Sequence, residues 1–206
     1  MPAQLLFATS NPHKIEEVAA ILAPRGMEVI GLDALDDAPP EPIEDGATFA
    51  DNARLKAVHY ARVAGWLCLA DDSGLEVDAL GGAPGVLSAR YAGIGATRAE
   101  QTAANNARLL REMKDIPPGK RAARFVCAMC LADEQGRILA ESRGAFDGFI
   151  AIQPRGTSGF GYDPLLYLPE LGRTVAELSA EEKNARSHRG EAARHMAALI
   201  DGLQLA

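Results

Sequence analysis

Hydrophobic positions change their spacing several times along the chain. Residues 4–9 ("QLLFAT") form a short, nearly continuous apolar run, as a buried strand does, and then Ile15, Val18, Ala19 and Leu22 recur at helical spacing. Ser10 or Asn11 can cap that helix with Pro12 in its first turn, and Pro24 and Gly26 stop it. Residues 27–32 read as a second strand, followed by a Pro-rich acidic loop over 36–46. Thr48 opens a helix whose Ala50, Ala53, Ala57, Tyr60, Ala61 and Ala64 share a face, and a strand over 66–70 follows. Further on, "TRAE" from Thr97 to Glu100 is a capping box for a helix reaching Lys114, which "DIPPGK" breaks. Two long strands are expected over 122–132 and 138–151, joined like a hairpin at "DEQGR". "SAEE" from Ser179 to Glu182 is a further capping box, and Ala192, Met196, Leu199, Ile200 and Leu203 mark the last amphipathic helix. Alternating strands and helices predict one α/β domain over residues 1–206 with a mixed sheet, the hairpin region folding against the rest as a second lobe.

Charge and cysteine usage narrow the partners. A net charge of -7 opposes sequence-independent binding to nucleic acid or anionic membranes, so any polyanionic ligand must be met by a few local cations. No apolar run approaches the ~20 residues of a membrane span, and the first residues lack a basic start and cleavage site, which points to the cytoplasm. Cys127 and Cys130 spell C-x-x-C, but on a strand positions three apart face opposite ways, and no second pair stands at zinc spacing. They read as buried structural thiols.

Four stretches carry chemistry. In "ATSNPHK" (residues 8–14) a strand end meets a helix start, where backbone amides, Thr9, Ser10, Asn11 and the Lys14 ammonium could bind an anion; a plain helix cap with a surface lysine is the alternative. In "ADDSG", Asp71 and Asp72 repel each other at the mouth of an apolar strand, which calls for a nearby cation. On an extended chain the two face opposite ways, so one is the ligand, and hard oxygens of this kind suit Mg²⁺. Glu44 or Glu41 would supply a second carboxylate; an Asx-type turn at Asp72 and Ser73 is the competing reading. "QPRGTSGFGYDP" (153–164) holds Phe160 and Tyr162 in a glycine-rich loop, able to stack on a base or to fill the core, with Asp163 beside them. Lys183, His188 and Arg189 stand close in sequence as cationic donors or as a solvated helix face.

Together, "ATSNPHK", "EDGATFADNARLKA", "ADDSGLEVDALGGAPGVLSARYAG", "GTSGFGYDP" and "SAEEKNARSHRGEA" resemble, in order and over nearly the whole chain, the signature segments of the inosine triphosphate pyrophosphatase (dITP/XTP pyrophosphatase) family. The resemblance implies a long mixed β-sheet flanked by helices, with two lobes around a central active-site cleft, and a homodimer. It also implies Mg²⁺-dependent hydrolysis of ITP, dITP and XTP to the monophosphate and pyrophosphate. By matching motif positions, Thr9, Ser10, Asn11, Pro12, His13 and Lys14 would hold the triphosphate, with Ser10 standing where some relatives have glycine. Asp72 would accept a proton and, with Glu44, bind the metal, while Ser73 touches substrate. Phe160, Gly161, Tyr162 and Asp163 would frame base and sugar, and Lys183, His188 and Arg189 would reach the 6-oxo edge. Donors that cannot accept pair with a 6-oxo group and refuse a 6-amino group. A nucleotide sensor that binds without cutting is the alternative.

Overall fold

The computed structural model describes residues 3–35 and 39–203; Asp36, Asp37 and Ala38 of the expected acidic loop lie outside it. Seven strands and five α-helices organise these residues: β1 (Ala3–Phe7), α1 (Pro12–Leu22), β2 (Met27–Ile30), α2 (Phe49–Ala64), β3 (Cys68–Val77), α3 (Arg98–Glu112), β4 (Ala122–Ala132), β5 (Ile138–Ile150), β6 (Leu166–Leu168), β7 (Arg173–Thr174), α4 (Ala180–Arg186) and α5 (His188–Gly202). Hydrogen bonding orders the strands β2-β1-β3-β4-β5-β6-β7. β1 runs parallel to β2 and β3, whereas β6 runs antiparallel to β5 and β7, so the sheet is mixed as expected. By contacts the chain divides into two compact units, and β3, β4 and β5 each run from one into the other.

The first unit comprises the chain up to Asp72, residues 127–144 and the segment from His188 on. Leu5, Leu6 and Phe7 of β1 are fully buried, as a strand covered on both faces requires. Val18 and Leu22 of α1 pack with Ala192, Ala193, Met196, Ala197 and Ile200 of α5 in a core that also holds Leu69 and Met129. Each such leucine, fully removed from water, stabilises by roughly 1.5–3 kcal/mol. Asn11 caps α1 by accepting from the His13 amide, and a Thr48–Asp51 capping box starts α2, which Gly65 ends in the left-handed region. Cys127 and Cys130 are free and buried.

The second unit comprises residues 73–126 and 145–187. Its core gathers Leu75 and Val77 of β3, Leu109 of α3, Phe125 of β4, Phe146 of β5 and Tyr162 with Leu165 and Leu166. The guanidinium of Arg121, buried, donates to four carbonyls, those of Met113, Ile116, Ile150 and Ala151, and so ties the end of α3 to the end of β5.

Two expectations are corrected. The strand that was to end at Ala70 continues to Val77, which removes the Asx-type turn at Asp72 and Ser73. Leu75 and Val77 are fully buried, and their alternation carries the strand past the Asp-Asp-Ser-Gly stretch of poor strand formers. The cationic segment is not one helix: α4 stops at Ser187, whose ψ of 154° is extended, and α5 begins at His188. Among the described residues no helix is long and apolar enough to cross a membrane.

Candidate active site

The first unit holds a cluster of carboxylates and cations around the middle of β3. Because the strand does not turn, Asp71 and Asp72 point to opposite faces. Asp71, 1% exposed, accepts from Lys14 Nζ at 2.9 Å and Arg189 Nε at 3.2 Å, and the Cys127 thiol lies 3.8 Å from its Oδ2. Arg189 Nη1 also donates to Glu17 Oε2 at 2.6 Å, tying α5 to α1. Burial by itself would raise the pKa of Asp71; the charges of Lys14, Arg189 and Lys56 outweigh it and hold the carboxyl well below the usual range.

Asp72 has a different environment. Its Oδ2 accepts from Asn52 Nδ2 at 3.0 Å, and its Oδ1 lies 3.5 Å from Lys56 Nζ. Here desolvation dominates over Lys56 and Asn52, with Glu44 adding like-charge repulsion, and the pKa is raised. The pKa values of two adjacent aspartates are thus pushed in opposite directions by their surroundings. Lys56 also contacts Glu44 Oε2 at 3.0 Å. Glu44, rather than the exposed Glu41, therefore converges with Asp72 on one cation. That convergence fits Mg²⁺, which takes one or two carboxylates and completes its shell with water and phosphate oxygens. Among the described residues no group of three or more His, Cys, Asp or Glu side chains could hold a metal.

The α1 start is less open than the sequence suggested. The amide of Asn11 donates to Thr9 Oγ1, that of His13 to Asn11 Oδ1, and those of Lys14 and Ile15 to the Asn11 carbonyl. Pro12 has no N–H, so the exposed Ser10 and the Lys14 ammonium remain for an anion. His13 is exposed, 4.0 Å from Glu16. Asn52 and Lys56 escaped the sequence reading although both lie in the quoted "EDGATFADNARLKA". The available signal was their i, i+4 spacing beside the alanine face of α2, two polar side chains on a stripe that burial should have kept apolar. Asn52 is locked by a second bond, accepting from the Gly46 amide at 2.8 Å, and a Cβ at Gly46 would stand 2.6 Å from Asn52 Oδ1.

A second cluster lies in the second unit. Asp163, 3% exposed, accepts from the Phe160 amide at 2.8 Å and from Lys183 Nζ at 2.9 Å. Lys183 Nζ sits 4.6 Å from the centre of the Phe160 ring, which is 37% exposed. Gly159, at φ +77°, has room for no side chain, since a Cβ would fall 2.0 Å from Asp163 Oδ2. Tyr162 turns the other way: its ring is in the core and its hydroxyl donates to the Ser88 carbonyl at 2.9 Å. Gly161 accepts from Asn106 Nδ2 of α3 through its carbonyl. Ser73 is half-buried on β3, and His188 is buried at the start of α5. Lys183 therefore joins Phe160 and Asp163, while Arg189 joins Asp71 in the other unit.

Adjacent aspartates with opposed environments, among two lysines and an arginine on a mixed α/β sheet, mark a candidate functional site suited to phosphate chemistry. The sequence profile of the Ham1 family matches residues 5–199, and the chain belongs to that family. It is 51% identical over 189 residues to a dITP/XTP pyrophosphatase of Geobacillus kaustophilus, covering 92% of this chain and 90% of that protein. A dITP/XTP pyrophosphatase of Exiguobacterium sp. is 49% identical, with 96% of each chain covered. Among solved structures, a HAM1 protein from Coxiella burnetii superposes with a TM-score of 0.87 at 36% identity, covering 98% of this chain and 100% of that one. A nucleoside-triphosphatase / dITP/XTP pyrophosphatase from Mycobacterium abscessus gives 0.75 at 43% identity, covering 96% and 98%.

Proposed function

We propose that the protein is a nucleoside-triphosphate pyrophosphatase that hydrolyses deaminated purine nucleotides (ITP, dITP, XTP) to the monophosphate and pyrophosphate and so clears them from the nucleotide pool. Family membership and the activity named for its bacterial relatives support this. The observation that carries it is the division between Asp71, which accepts from Lys14 and Arg189, and the half-buried Asp72, which accepts from Asn52 and lies 3.5 Å from Lys56. Asp72 and Glu44 would hold Mg²⁺, which when bound acidifies water and draws charge from phosphate oxygens.

Asp72 takes the proton of the attacking water. The water oxygen bonds to the α-phosphorus as the bond from that phosphorus to the bridging oxygen breaks, and pyrophosphate departs with the electron pair. Lys14 and Ser10 bind the triphosphate, Lys14 neutralising charge on the leaving group, while Thr9, Asn11, Pro12 and His13 shape the turn that presents them. Phe160 stacks on the base, and Lys183 donates to its 6-oxo group, a contact adenine cannot return. Arg189 serves through Asp71, which in turn orients Lys14. Homodimer assembly in the cytoplasm completes the proposal, and light scattering tests the dimer.

A panel of purine triphosphates with product identification is the direct test. Pyrophosphate release from ITP, dITP and XTP, weak release from ATP, and loss of at least ~100-fold in turnover for Asp72→Asn are expected. Tight binding with no pyrophosphate released would instead make the protein a sensor.

A further inference from the structure

Lys56 contacts both of the carboxylates that would hold the metal. Its ammonium lies 3.0 Å from Glu44 and 3.5 Å from Asp72, bridging the same two carboxylates assigned to Mg²⁺. The residue is 9% exposed, on the face of α2 that also holds the fully buried Ala53 and Ala57, so its stem is packed while its ammonium meets the carboxylates. Two carboxylates and an ammonium leave one net negative charge. A divalent ion entering beside that ammonium would gain little attraction and meet a like charge within a few ångströms.

Resting on the metal assignment above, we propose that Lys56 is a metal-excluding counter-ion. In the nucleotide-free protein it occupies the position between Glu44 and Asp72, and it yields that position only when the phosphates of a substrate arrive to take its ammonium. Metal and nucleotide then enter together, because the nucleotide's phosphates compensate Lys56 at the moment the carboxylates are released to the ion. The same exchange keeps Asp72 paired while no substrate is present, so the water-activating arrangement is assembled only around something to cut. Lys56 thereby acts as a positioning residue for the reaction, with metal affinity rather than turnover as its signature.

The test measures binding of Mn²⁺ alone, by calorimetry or by its paramagnetic resonance, to the nucleotide-free protein. Lys56→Met should bind Mn²⁺ at least about tenfold more tightly than wild type, ~1.4 kcal/mol. Lys56→Arg, which keeps the charge, should stay at the wild-type level. Adding Asp72→Asn to Lys56→Met should remove the gain. If Lys56→Met fails to fold, Lys56→Gln, whose amide can donate to either carboxylate, takes its place. Equal Mn²⁺ affinity for wild type and the neutral variants overturns the proposal, and so does micromolar saturation of nucleotide-free wild type, for which no variant is needed. If Asp72→Asn weakens Mn²⁺ binding while the neutral variants leave it unchanged, the metal site stands and the excluding role of Lys56 falls. If Asp72→Asn has no effect, the metal assignment itself falls, and the proposal with it.

Discussion

Asp71 and Asp72 are the same residue type, one peptide apart, and their substitution should have unlike consequences. Asp71→Asn leaves Lys14 and Arg189 facing a neutral amide in a site with 1% exposure. Removing one partner from a buried charge cluster typically costs about 3–5 kcal/mol, because the remaining charges stay dehydrated without compensation. Asp72→Asn removes a carboxylate whose burial already works against its ionised form. Urea unfolding at neutral pH should therefore show a loss of about 3 kcal/mol for Asp71→Asn and much less for Asp72→Asn, while turnover collapses in the latter. Comparable destabilisation by the two would mean that the strand does not separate their roles. The sequence exposed the conflict between neighbouring carboxylates, and the alternation of a strand predicts that only one can face a given ligand. It did not show which cations resolve the conflict: Arg189 arrives from 118 positions away, and no local pattern announces such a partner.

At the scale of elements, α4 is informative because it is short. Seven residues form few internal hydrogen bonds, so the ends decide its stability. At the front, Ser179 accepts from the Glu182 amide and Glu182 accepts from the Ser179 amide, with Arg173 of β7 at 2.8 Å from the same carboxylate. The bond from Arg173, then that from the Ser179 amide, lowers the pKa of Glu182 to about 2. A depressed carboxylate contributes stability that is present above its unfolded value, near ~4.3, and lost as the pH falls through the folded one. Titration of the Glu182 side chain by NMR should therefore show a midpoint near 2. Ser179→Ala should cost about 1 kcal/mol in urea unfolding and should loosen Lys183, whose amide donates to the Ser179 carbonyl. A wild-type-like stability for Ser179→Ala would show that tertiary packing alone holds the helix. The capping box was legible as "SAEE", and so was the box at Thr97, because capping chemistry is local; at Thr48 only the helix start was read, and the structure adds its box with Asp51. The stop at Ser187 was not. "EEKNARSHRGEA" contains no proline and only one glycine, and neither marks a break after Arg186.

For the molecule as a whole, an acidic chain of net charge -7 is assigned a polyanionic substrate, so recognition must rest on a few placed cations. The sequence brought Lys183, His188 and Arg189 forward as one group, whereas the fold divides them: Lys183 belongs with Phe160 and Asp163, and Arg189 with Asp71. That division predicts separable functions. Changes at Asp72 should lower turnover of every triphosphate alike, and changes at Lys183 should alter the choice of base. A hydrogen bond from a charged donor to a buried carbonyl is worth roughly 1.5–3 kcal/mol, about one to two decades in kcat/KM, and ATP has no such bond to lose. Lys183→Met should therefore reduce kcat/KM for ITP by about that factor and leave the ratio of ITP to ATP correspondingly smaller. Because Lys183 also pairs with the buried Asp163, some loss will be common to both substrates as the Phe160 loop relaxes. The ratio cancels that common part, which makes it the decisive quantity. Measuring kcat/KM for ITP and ATP on wild type and Lys183→Met settles the assignment: a fall by the same factor for both would leave Lys183 only the role of fixing the loop through Asp163.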